Sequence, residues 1–279
     1  MKRAMGDGVE IQIAQWEGED KAILCIHGIT ANCRCWDVIA DALSPSHRVL
    51  AMDLRGRGLS GAPSSGYSME HHCRDILAVL DDLGLERVVL MGHSLGAFIS
   101  VVFGAKYPER VDSIILVDGG GKLSENQIVK VFSGIKPSLD RLGKVFPSFE
   151  AYLDFMKEAP FIKNWSQALE TYYQYEVEEI SGGVRTNINP DHIEEERVNL
   201  GKVDISLSYG KISCPVLILR ATEGMLALDD VLLPEDVTQR MVREIANARR
   251  VDVNGTNHYS IIFQPHGERD QAIREFLRE

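Results

Sequence analysis

The chain has 279 residues, 44% of them hydrophobic, enough apolar material for one large domain or for a domain carrying an insertion. Its formal net charge of -11 is spread along the sequence and not gathered in a tail, which weighs against nucleic acid or an anionic membrane surface as partner. No apolar stretch approaches the ~20 residues that span a bilayer, and the basic start MKRAMGDGVEIQ lacks the apolar run of a secretion signal. A cytoplasmic protein is expected, with reduced thiols at Cys25, Cys33, Cys35, Cys73 and Cys214, whose odd number and spacing give neither a disulfide framework nor a zinc pattern.

In chain order, VEIQIAQW alternates as a half-exposed strand does, and KAILCIHG is the continuous apolar run of a strand covered on both faces. CWDVIADALS spaces its apolar residues helically, HRVLAMDLRGRG is a buried strand ending in glycines, and SMEHHCRDILAVLDDLG is an amphipathic helix stopped by Gly84. RVVLMG, LGAFISVVFGAKYP and VDSIILVDGG read as strand, helix and strand; CPVLILRA, EDVTQRMVREIAN, RRVDVNGTNH and ERDQAIREFLRE resume the alternation. Such a pattern predicts an α/β fold whose mostly parallel sheet is wrapped by helices on both faces. Between Gly121 and Asp204 the segments SENQIVKVFSGI, SFEAYLDFMKEA and WSQALETYYQYEVEEI are helical and no buried strand stands out. The expected organisation is a core of residues 1–121 and 205–279 with an inserted helical cap at 122–204. Within the cap, Phe161, Trp165, Tyr172, Tyr173 and Tyr175 fall at helical spacing, which assigns most of them to packing.

Ser94 lies in the run GHSLG between a strand and a helix, the G-x-S-x-G arrangement in which a serine takes an uncommon backbone conformation and projects above the sheet edge. A serine hydroxyl is a weak nucleophile at neutral pH, so it needs a base, and the base an acid to orient it. His258, in the loop after the last strand, is where the order serine, acid, histidine places the base. His71 and His72, adjacent on one helix, point apart and do not make a ligand cluster with Cys73; they read as surface or packing residues. His27 is expected to shape the loop that follows it. Two strand ends offer the acid, Asp118 in IILVDGGG and Glu223 in LILRATEG, with Asp229 and Asp230 nearby; Asp118 is favoured and the choice stays open. GRGLSG, residues 56–61, matches a dinucleotide-binding spacing, but Pro63 and two serines follow it where a helix would have to start, so a turn-rich loop is expected.

Taken in order, LCIHGIT, MDLRGRGLSG, MGHSLG, LVDGG, PVLILRA and GTNHY resemble the α/β-hydrolase fold superfamily over nearly the whole chain. The resemblance implies an oxyanion hole from the backbone N–H groups of Ile29 and Leu95. It also exposes a departure, because Gly224 stands where the commonest family pattern has an aspartate; branches that take the acid from the preceding strand match Asp118. A serine nucleophile weighs against the chemistries of this fold that use a carboxylate nucleophile.

The expectation is therefore a serine hydrolase acting on a small, largely apolar ester or lactone, without cofactor or metal, and with no nucleic-acid or membrane partner. Carbon–carbon bond hydrolysis by the same side chains is the nearest alternative, and a ligand-sensing receptor on a hydrolase scaffold comes from a different class. The apolar GMLAL segment, residues 224–228, is expected to help cover a hydrophobic pocket.

Overall fold

The computed structural model describes residues 1–279. Three strands open the chain, β1 (Lys2–Met5), β2 (Glu10–Trp16) and β3 (Asp20–Ile26), and a 3-10 turn at Cys33–Trp36 runs into α1 (Asp37–Leu43). Strand and helix then alternate through β4 (His47–Met52), α2 (Met69–Asp82), β5 (Val88–His93), α3 (Leu95–Lys106) and β6 (Val111–Val117). The segment that follows holds α4 (Glu125–Gly134), α5 (Lys136–Asp140), α6 (Phe149–Lys157), α7 (Gln167–Tyr175), the strands β7 (Val177–Ile180) and β8 (Gly183–Thr186), α8 (Pro190–Leu200) and α9 (Ser206–Tyr209). Alternation resumes with β9 (Val216–Ala221), α10 (Glu235–Glu244), β10 (Ala248–Val253), α11 (Ser260–Phe263) and α12 (Gly267–Leu277).

One eight-stranded sheet has the order β1-β2-β4-β3-β5-β6-β9-β10. From β4 to β10 every neighbouring pair is parallel, whereas β2 pairs antiparallel with both β1 and β4. Successive side chains of a strand go to opposite faces, so Leu24, Ile26, Leu90 and Leu116 feed one core layer while Ile23, Cys25, Met91 and Val117 feed the other. Helices α2 and α3 cover the first layer with Ile76, Val79, Ile99 and Phe103; α1, α11 and α12 cover the second with Ile39, Ile262, Ile273 and Phe276. Burial on both faces is the reason the inner strands have no polar alternation. No helix is long and apolar enough to cross a membrane.

Two local expectations need correction, and one strand carries no sequence signal. β2 is not half-exposed: Ile11, Gln12, Ile13 and Ala14 are all buried. β1 covers its edge, and the 53–61 loop bonds to it through Asp53 N to Gln12 O, Gly61 N to Glu10 O and Gln12 N to Ser60 Oγ. Gln12 tolerates this because its side-chain amide donates to Lys2 O at 3.0 Å. β1 itself was not foreseen, since four residues of mixed polarity carry no readable period. The 122–204 segment is also not purely helical: β7 and β8 form an antiparallel hairpin turning at Ser181 and Gly182. Its strands are four residues long, and β7 reads VEEI, with two glutamates that have low strand preference.

Candidate active site

Ser94 sits between β5 and α3 with φ 53° and ψ −119°, a region that costs of order 1–3 kcal/mol for a non-glycine residue. The flanking glycines make the corner possible. A Cβ on Gly92 would fall 2.2 Å from Gly96 O, and one on Gly96 would fall 1.9 Å from Ile26 O, so strand, helix and the end of β3 close up only without side chains there. The turn leaves Ser94 half-buried between two buried neighbours, His93 and Leu95. Leu95 N–H is the first amide of α3, where the helix leaves its N–H groups without internal acceptors and carries partial positive charge.

Asp118 follows β6 directly and, like Ser94, has a positive φ, 44°. Its Oδ1 accepts from Ala221 N–H at 3.1 Å, at the end of β9, and its Oδ2 lies 2.7 Å from His258 Nδ1. Acid and imidazole are 1% and 4% exposed, so water does not compete for this bond. A carboxylate on Nδ1 fixes the proton there and leaves Nε2 as the basic nitrogen. The loop carrying His258 is braced by Asn257, whose Oδ1 accepts from Tyr259 and Ser260 N–H while its amide donates to Phe161 O. Ser94 and His258 line one small cavity with no hydrogen bond between Oγ and the ring within 3.5 Å; bonds of this kind commonly tighten only when substrate is in place.

The other acids weighed from sequence go elsewhere. Glu223 pairs with Lys163 at the surface, Asp229 pairs with Lys130, and Asp230 accepts from the N–H groups of Met225, Leu226 and Ala227. His93, which sequence reasoning passed over, supports the site from behind. Its Nε2 donates to His258 O at 2.9 Å and its ring stacks on His258 with centroids 4.5 Å apart. Burial pushes the His93 pKa well below the ordinary value, so the ring stays neutral. Its place beside Ser94 was the one signal available.

The loop after β3 carries Ile29, which with Leu95 and Ser94 lines a second, larger cavity. His27 shapes the start of this loop: Nδ1 bonds Gly28 O at 2.7 Å and Nε2 accepts from Leu54 N–H at 3.0 Å, as a neutral ring must. Two buried arginines then hold the loop's carbonyls. Arg57 Nε donates to Ile29 O at 3.1 Å and its Nη2 meets Glu196 at 2.5 Å; Arg141 Nη2 donates to Thr30 O at 2.6 Å and its guanidinium is bidentate on Glu176, at 2.7 and 2.8 Å. Glu196 also meets His72 Nε2 at 2.6 Å, which makes His72 a buried bridge to α8 and not a surface residue. Burial pushes the Glu196 carboxyl up, but the His72 and Arg57 charges outweigh it and hold its pKa at about 2. His71 is separate and bonds Ser68.

The GRGLSG run is a loop with no helix inside it, and Asp53, just before it, accepts from Leu59 N–H in the run and from Cys33 N–H and Tyr175 OH outside it. A model of the alpha/beta hydrolase fold family matches residues 21–265. The chain belongs to that family. An uncharacterized protein of Mycobacterium tuberculosis is 40% identical over 115 residues, 40% of this alpha/beta hydrolase and 33% of the relative, so the match spans about a third of that protein's length. A 2-(acetamidomethylene)succinate hydrolase of Mesorhizobium japonicum is 28% identical over 210 residues, covering 75% of this chain and 73% of the relative. The crystal structure of an E-2-(acetamidomethylene)succinate hydrolase superposes with TM-score 0.85 at 23% identity, over 100% of this chain and 98% of that one.

In this alpha/beta hydrolase the two cavities meet at Ser94. The larger, about 440 Å³, is walled mainly by apolar side chains including Phe98, Leu123, Val131, Phe132 and Leu200. The smaller, about 40 Å³, is bounded by His258, Tyr172, Tyr173, Arg141 and Ser138. GMLAL does not wall either one: Met225 is buried elsewhere and Leu228 is 99% exposed, while Leu232 is the nearby residue that reaches the larger cavity. The cap aromatics mostly pack on one another or on the core, as in the stacks Phe161 on Tyr259 and Trp165 on Tyr173; Tyr172 and Tyr173 also face the small cavity.

Proposed function

We propose that this alpha/beta hydrolase cleaves a small, largely apolar carboxylic ester or lactone through an acyl-enzyme on Ser94. The observation that carries the reading is the buried 2.7 Å contact of Asp118 with His258, on the wall of the cavity that also holds Ser94. His258 Nε2 takes the Oγ proton as Oγ bonds to the carbonyl carbon, and Asp118 orients the ring and balances its transient charge. The N–H groups of Ile29 and Leu95 receive the oxyanion, where fixed donors beside a helix N-terminus act without reorganising. Collapse breaks the acyl–oxygen bond, the leaving oxygen takes the proton from Nε2, and water activated by the same nitrogen releases the acid.

The Mesorhizobium relative is named for a dicarboxylate substrate, but an apolar one is the better match here. Twelve of the 18 residues lining the larger cavity are hydrophobic, and of the three cations at its edge Lys122 and Arg197 are paired with Asp204 and Glu194 while Lys202 bonds Asn199 Oδ1, which leaves one free cation for a substrate with two carboxylates. The test is a panel of methyl and ethyl esters, lactones and vinylogous diketones, with Ser94→Ala as control. Ester or lactone turnover that falls about 10⁴-fold or more in Ser94→Ala is expected. Activity undiminished in a folded Ser94→Ala protein, or turnover confined to the diketones, overturns the reading.

A further inference from the structure

We propose that the two cavities divide the substrate at its scissile bond, so that the preferred substrate joins a medium-length apolar acyl group to a very small alcohol. The inference rests on the serine-hydrolase reading above and adds which side of the ester is large. Ile29 and Ser94 belong to both cavities, Leu95 to the larger alone, and His258 to the smaller alone.

That distribution settles direction by proton bookkeeping. A carbonyl carbon attacked by Ser94 Oγ bears three other groups. Its oxygen must face the Ile29 and Leu95 amides, and its leaving oxygen must face the nitrogen that returns the proton. That nitrogen is on His258, so the alcohol portion departs on the side of the small cavity. The acyl carbon chain is left to the other side, where the cavity of about 440 Å³ opens. When the tetrahedral species collapses, the carbon–oxygen bond to the alcohol breaks and the proton held on Nε2 goes to that oxygen. The alcohol is released and the acyl chain stays on Ser94 until water displaces it.

Size follows from volume. The small cavity, about 40 Å³, holds roughly three water-sized groups at ~10–15 Å³ each, enough for a methoxy or ethoxy group. The larger is within the ~300–1,000 Å³ range of small-molecule pockets. Its wall is built from α4 and the end of α8 together with Leu95 and Phe98 of α3, so an alkyl chain threaded there replaces water along most of its length.

Methyl octanoate and heptyl acetate test this directly, because they are isomers carrying the same heptyl chain on opposite sides of the ester. After correction for their rates of alkaline hydrolysis, kcat/KM for methyl octanoate is expected to be about 100-fold higher or more. In Ile128→Trp, which places bulk from the partly exposed Ile128 into the large cavity, the ratio of methyl octanoate to methyl acetate turnover is expected to fall roughly tenfold. Ser94 labelled by a fluorophosphonate together with equal rates, or with preference for heptyl acetate, or with turnover of neither isomer, overturns the division of the substrate and leaves the nucleophile standing. Ser94 unlabelled and neither isomer turned over overturns the hydrolase reading and this inference with it.

Discussion

Asp118 and Ser94 are the two non-glycine residues with positive φ, and they end adjacent strands of the sheet. For Asp118 the twist brings the carboxylate back over β9, where Ala221 N–H pins Oδ1 and leaves Oδ2 for the imidazole. This pinning makes Asp118→Asn informative. The amide oxygen must stay on Ala221 N–H, so the NH2 faces His258 Nδ1, which is then forced to accept and carries its proton on Nε2. The base is lost with little change in shape. We expect kcat on the best ester to fall about 10⁴-fold with the melting temperature nearly kept, whereas Glu223→Gln, at an exposed ion pair, should change kcat by less than about threefold. A larger loss in Glu223→Gln than in Asp118→Asn would reassign the acid. A motif and a chain position mark Ser94 and His258 as candidates in the sequence. The acid is marked less sharply, with Asp118 favoured and Glu223 left open, because β6 and β9 are neighbours ending in similar loops and the backbone at Asp118 is what brings its carboxylate to the ring.

The elements outside the sheet act on the site through the loop after β3. Glu196 on α8 and Glu176 just after α7 each hold a buried arginine, and the arginines in turn hold Ile29 O and Thr30 O. A carbonyl held in place also fixes the plane of the peptide that follows it, so the direction of nearby amides depends on these pairs. The sequence showed the strands of the large sheet other than β1, the elbow and most helices, and missed the β7–β8 hairpin. It could not show Arg57 with Glu196, which are 139 residues apart and carry no period of their own. Removing one charge from a buried pair is costly, but replacing both by apolar groups often is not. Glu196→Gln should therefore lower the urea-unfolding free energy by roughly 3–5 kcal/mol. The triple variant Arg57→Met, Glu196→Leu and His72→Leu, which leaves neither the arginine nor the buried His72 without its partner, should recover most of that loss. It should still show a kcat reduced roughly tenfold or more, because Ile29 O has lost its donor near the proposed oxyanion site. Full recovery of both stability and kcat would reduce the arginine to a packing role.

At the scale of the whole molecule, two histidines near the C-terminal edge of the sheet, His27 and His93, are folded into an interior that keeps them neutral. His27 is fully buried, and burial first, with the nearby Arg57 charge, lowers its pKa from 6.5 to about 3 against the pull of its bond to Gly28. Unfolding exposes a ring that binds a proton at pH values where the folded ring does not. The unfolded state therefore takes up an extra proton between about pH 6.5 and about pH 3, and the stability contributed by neutral His27 is complete above that window and is lost as pH falls through it. Glu196 acts in the same direction but lower, between 4.5 and about 2, because its folded form keeps its charge beside His72 and Arg57. Asp37 opposes both, since burial raises its folded pKa to about 7 despite Arg34, so the net slope of the native protein mixes signs. A comparison of variants isolates the histidine. Urea unfolding at pH 6.5, 5.5 and 4.5 should show the native protein losing about 1.4 kcal/mol per pH unit more than His27→Asn, the slope of a single proton. Because the substitution also removes the bonds to Gly28 and Leu54, the variant should be less stable at pH 7, and the two curves should converge toward acid. Parallel curves would mean that the ring is already protonated in the folded protein, and the loop it shapes would then hold a cation directly behind the proposed oxyanion donors.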